Sequence, residues 1–202
     1  MQSLSNFIQE KLHPSKFKKE KQYKYYPKTR NELKDLVDNL IEERGNKADL
    51  NDIDTSEITD MQSLFHITNS QFNGDISKWD VSNVTNMRSM FEDSQFNGDI
   101  SKWNVSNVKD MNNMFNKSKF DGNISSWYVS NVKNMSHMFY NSDFNRDISK
   151  WDVSNVENME RMFTNSKFNQ DISNWDVSNV SNMIWMFVNC PLEKNPPKWY
   201  HD

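Results

Sequence analysis

The amino-acid sequence predicts an α/β repeat solenoid, a right-handed superhelix with one short parallel strand per 24-residue coil and an N-terminal helical cap. Three observations predict it. Tryptophan recurs at Trp79, Trp103, Trp127, Trp151, Trp175 and Trp199, each step being 24 residues. Phe72, Phe96, Phe120, Phe144 and Phe168 keep the same period, as do Met87, Met111, Met135, Met159 and Met183. The chain is also polar, at 35% hydrophobic residues and a mean hydropathy of −0.92, yet it is 13% aromatic. Disordered chains of such polarity are poor in aromatics. A repeat that shares its apolar faces between neighbours reconciles the two figures.

The first element, residues 1–22, is a basic leader. Leu4, Phe7, Ile8 and Leu12 are spaced for a short amphipathic helix that Pro14 ends. Residues 1–30 carry eight Lys/Arg against two acids (+6), and the other 172 carry sixteen against twenty-six (−10), which gives the total of −4. A basic segment can mark nucleic-acid or membrane contact, but a solvated linker is the simpler reading, so no nucleic acid is expected as a partner. The leader lacks the apolar stretch and cleavage site of a signal peptide, and the chain lacks an apolar run that would span a membrane. A cytoplasmic or virion-associated location is therefore expected ahead of classical secretion.

Residues 23–52 form the expected N-terminal cap. Tyr23–Tyr26 suits a strand, and Thr29 with Glu32 makes a capping box. Leu33, Leu36, Val37, Leu40 and Ile41 then line one helical face, up to a stop at Gly45. A repeat array needs such a cover because its first coil otherwise exposes core and a bare edge.

The repeats span residues 53–191, with the unit F-N-x-D-I-S-x-W-D-V-S-N-V-x-N-M-x-x-M-F-x-x-S-x in five whole copies from Phe72 to Pro191. Ile76, Trp79 and Val81 meet the L-x-x-L-x-L pattern of leucine-rich repeats, whose period is 20–29 residues. Trp79 and Val81 stand two apart, so a strand there turns both inward and leaves Lys78 and Asp80 outside. Val84, Met87, Met90 and Phe91 follow at turn or helix spacing. Stacking about six coils at a strand spacing of ~4.8 Å gives a length of roughly 30 Å. Residues 192–202 close the far end, where Pro196 and Pro197 exclude another full strand and Trp199 arrives in register.

Units such as Phe96-Asn97-Gly98-Asp99-Ile100-Ser101-Lys102-Trp103 resemble those of the BspA-like leucine-rich-repeat surface-protein family of bacteria. The resemblance covers residues ~50–191 and implies a non-catalytic, adhesin-like binding role. The leader is similar to short leaders on proteins of large bacteriophages and their hosts. The expected function is accordingly recognition of a protein partner by a monomer, without a cofactor. The alternatives are a carbohydrate-binding module or an accessory structural protein of a bacteriophage virion.

Catalytic signals are absent. His13, His66, His137 and His201 are scattered without metal-ligand spacing, and no phosphate loop or nucleophile elbow occurs. Cys190 stands where other units have Ser94, Ser118, Ser142 and Ser166, so a buried turn residue is preferred to a nucleophile. The row Asp75, Asp99, Asp147 and Asp171 raises calcium, but Asn123 interrupts it, and Asp in turns accepts main-chain hydrogen bonds. Exposed Trp rows can stack on sugars, but the inward register of Trp79 and its equivalents favours core. The expected contact surface lies on the outward strand face. There the central coil exchanges a Lys and an Asp for Ser126 and Tyr128, flanked by Lys102, Asn104, Lys150 and Asp152.

Overall fold

The computed structural model describes residues 23–201, so the leader lies outside the described residues. Helix α1, Arg30–Arg44, is the single α-helix among them, and two short 3-10 turns, Ile67–Asn69 and Pro191–Glu193, complete the helical elements. The start of α1 is capped twice. The Glu32 N–H donates to Thr29 Oγ1, and Glu32 Oε2 accepts from the Lys28 N–H at 2.7 Å. Its end falls at Gly45, whose φ of +83° is left-handed and favours glycine. Leu33, Val37, Leu40 and Ile41 are buried against the beginning of the repeat core. Arg30 Nε also donates to the Gln62 carbonyl, which ties the helix to the first coil.

The α/β solenoid with a strand in every coil is not what the chain forms. Among the described residues there is no strand of two or more residues, only isolated parallel bridges. One series links Asp60, Asn86, Asp110, Asn134, Asn158 and Asn182, and Tyr25 pairs singly with Ile53 where a strand over Tyr23–Tyr26 was expected. The reason lies in tight turns. The Trp79 N–H closes onto the Ile76 carbonyl and the Val84 N–H onto the Val81 carbonyl, so Trp79–Val81 is only the joint between two turns. After the bridge at Asn86 the backbone twice enters the left-handed region, at Ser89 and Asp93, both with φ +53°. Every later coil repeats this at the equivalent pair, ending with Trp185 and Asn189. A chain that turns this often cannot hold an extended strand.

Coils are nevertheless joined by main-chain bonds. The N–H groups of Met87, Ser89, Phe91 and Asp93 donate to the carbonyls of Asp110, Asn112, Met114 and Asn116 at 2.8–2.9 Å. The Lys109 N–H donates back to Thr85. Equal bonds recur 24 residues on. Each unit thus satisfies its neighbour's backbone without a sheet.

The core is a set of columns along the stack. Phe72, Phe96, Phe120, Phe144 and Phe168 lie nearly parallel with ring centroids 6.2–6.4 Å apart. A second Phe column, from Phe65 to Phe187, packs beside it, with centroids as close as 4.1 Å between Phe139 and Phe144. The Met column from Met87 to Met159 is fully buried. At the far end Trp199 and Tyr200 pack on Phe187, but Val177, Val180 and Met183 are only partly covered.

Candidate functional site

The outward face expected on a strand is built from turns. Lys102, Ser126 and Lys150 each sit in the turn that leads into Trp103, Trp127 or Trp151, and Asn104, Tyr128 and Asp152 follow the Trp. All six are exposed and fall in register on successive coils. The second column has a local task. Asn104 Oδ1 accepts from the Ser106 N–H at 3.2 Å, and Asp152 Oδ1 from the Ser154 N–H at 3.1 Å. These are Asx-turns, in which a side chain mimics a main-chain acceptor. Tyr128 cannot make one, and its ring is 61% exposed. Ser126 Oγ donates to the Ser101 carbonyl of the preceding coil.

A second feature escaped the sequence reading. Tyr140, Arg161, Thr164, Asn165, Trp185 and Asn189 line an open hollow of ~310 Å³ on the turns after the bridge. Trp185, outside the 24-residue register, is 48% exposed, whereas Trp79, Trp103, Trp127, Trp151 and Trp175 are only 3–4% exposed. The Arg161 guanidinium carbon lies 4.2 Å from the centroid of its ring. The signal available in the sequence was Trp185 itself, the one tryptophan that breaks the period.

Residues that invite chemistry have structural tasks. The Asp row accepts main-chain hydrogen bonds: Asp75, Asp99, Asp147 and Asp171 each take the N–H of the Ser two residues on at 2.9 Å, and Asn123 does the same at 3.0 Å. Those bonds hold the four carboxyls below the usual carboxylate range, the main-chain N–H contributing most at Asp75 and Asp147 and the Ser hydroxyl most at Asp99 and Asp171. Cys190 is buried, and burial pushes its thiol up, away from the reactive thiolate. Burial likewise lowers the His137 imidazole. Among the described residues no three His, Cys, Asp or Glu side chains gather as a metal centre requires. No described helix is long and apolar enough to cross a membrane. The indoles of Trp79, Trp103, Trp127, Trp151 and Trp175 are turned into the core, and Trp199 is partly covered.

A family model described as "Mycoplasma protein of unknown function, DUF285" matches residues 32–143 and, a second time, residues 116–200. The chain belongs to this family. The two matches together take in most of α1, all five whole repeats and the closing Trp199, so the DUF285 character resides in the repeating stack. Comparison with curated proteins and with solved structures gives no match. Within this DUF285 chain, the exposed row at Tyr128 and the hollow at Trp185 are the two places where the repeat offers an aromatic ring to solvent.

Proposed function

We propose that this DUF285 chain is a non-catalytic recognition module, an adhesin-like, BspA-type surface protein that binds a protein partner. Contact centres on Ser126 and Tyr128, with Lys102, Asn104, Lys150 and Asp152 around them. One observation carries the reading: Tyr128 occupies an Asx-turn position, forgoes the turn bond that Asn104 and Asp152 make, and holds its ring 61% exposed. Local folding has no use for a tyrosine there. Large aromatic rings with a polar tip are favoured at binding hot spots. The resemblance of the repeat units to the BspA-like family supports the same role.

Tyr128→Asp tests it. The Asp restores the acceptor for the Ser130 N–H, so thermal stability is expected to stay level or rise slightly. Affinity for a partner captured by the wild-type chain is expected to fall at least tenfold, measured by surface plasmon resonance. Unchanged affinity in a folded variant would move the contact surface elsewhere.

A further inference from the structure

We propose that the hollow between Tyr140, Arg161 and Trp185 is a binding site for a sugar that bears a carboxylate. This site is separate from the Tyr128 row and does not depend on it. Its residues come from equivalent turns of consecutive coils. The position of Arg161 is filled by Ser89, Asn113, His137 and Trp185 in other coils, and that of Tyr140 by Glu92, Asn116, Thr164 and Val188. The stack therefore folds with many side chains at both places, and neither an arginine nor an indole is required by it.

Trp185 is an unfavourable choice for folding. It is half exposed, and its φ of +59° is the left-handed region that disfavours a bulky side chain. Asn113 fills the same position at φ +58°, where asparagine is at ease. The indole gains something from Arg161, whose guanidinium is held against its ring by a cation–π contact. That guanidinium makes no ion pair among the described residues. The lining holds no carboxylate, in a chain with 28 acids and a net charge of −4. An anion is the complement such a surface lacks, and a carboxylate suits the planar fork of arginine.

The remaining lining specifies a sugar. Asn189 Nδ2 donates to Asn165 Oδ1 at 3.0 Å and Asn165 Nδ2 reaches the Tyr140 hydroxyl at 3.4 Å, which leaves amide and hydroxyl capacity for the hydroxyls of a ligand. The exposed indole offers a flat apolar face for the C–H side of a pyranose. Val188 is the only aliphatic side chain in the lining, too little to anchor an apolar peptide side chain. The hollow is shallow and of small-ligand size, suited to a terminal sugar whose glycan continues into solvent.

The test is titration calorimetry of the full chain with N-acetylneuraminic acid, glucuronic acid, glucose and a short glutamate-rich peptide, alongside tryptophan fluorescence. At least one acidic sugar is expected to saturate at one site per chain and to quench Trp185, with glucose at least tenfold weaker. Arg161→Asn and Trp185→Asn place in the turn a residue that Asn113 shows it accepts. Both are expected to keep the melting temperature, the first weakening the acidic sugar at least tenfold and the second abolishing its binding. Tyr128→Asp should leave the sugar affinity unchanged. Saturation by neither acidic sugar, equal affinity for glucose, tighter binding of the peptide, or an Arg161→Asn variant of full affinity would each overturn the proposal.

Discussion

Each periodic tryptophan supplies both an apolar ring and a hydrogen bond between coils. The indole N–H of Trp127 donates to the Ile100 carbonyl at 3.1 Å, that of Trp151 to Ile124, and so along the stack to Trp199 on Ile172. The spacing of 24 made the burial of these rings legible, because a residue two before a core valine and in step with five others has to point inward. The hydrogen bond was not legible, since it depends on a turn that aims a carbonyl 27 residues earlier at the next coil. Trp127→Phe keeps a ring but loses the bond, leaving the Ile100 carbonyl with the Trp103 N–H alone. The net contribution of one such hydrogen bond is about 0.5–1.5 kcal/mol, so the urea midpoint is expected to fall accordingly. An unchanged midpoint would mean that the indole adds nothing to a carbonyl already held by the Trp103 N–H.

At the scale of the element, the repeat is a series of Asx-turns. Three recur in the coil from Phe72: Asp75 to Ser77, Asp80 to Ser82, and Asn86 to Arg88. The expected strand at Trp79–Val81 failed because two-residue alternation of buried side chains is met equally by the joint between two turns. The recurring Asp-x-Ser and Asn-x-Ser triplets were the better guide, for an Asx side chain bonding two residues on competes with strand pairing. Helix α1 was legible down to its caps because Thr29, Glu32 and Gly45 act within a few residues of themselves. Acid should act on the turns. Asp75, Asp99, Asp147 and Asp171 have folded-state pKa values below the unfolded value of about 3.9. Stability from such depressed groups is fully present above the unfolded pKa and is lost as pH falls through the folded one. Thermal melts are therefore expected to be level in this respect above pH ~5 and to decline below pH ~4. Replacing the four by Asn, as Asn123 already stands in the third coil, should flatten that decline. An equally steep acid limb in the fourfold variant would assign it to other carboxylates.

The whole molecule is a line of coils with unlike ends. Helix α1 covers the first coil, while the last presents partly covered Val177, Val180 and Met183 and exposed Ile184. Its backbone differs too. Met87, Met111, Met135 and Met159 all donate their N–H to the next coil, but among the described residues no acceptor faces the N–H of Met183 or Trp185. Coil number and core composition were legible because a fixed period multiplies a weak local signal. The route of the backbone within a coil was not, because 24 residues with eight inward side chains suit either a strand and return or a ring of turns. Native-state hydrogen exchange, resolved by residue, separates the two directly. The turn-built stack predicts slow exchange at the Met87, Ser89 and Phe91 amides and their equivalents through Phe163, with fast exchange at Met183 and Trp185. Strong protection at the Asp80 and Val81 amides and their equivalents, which a strand would pair and the turns do not, or equal protection in the last coil, would contradict it.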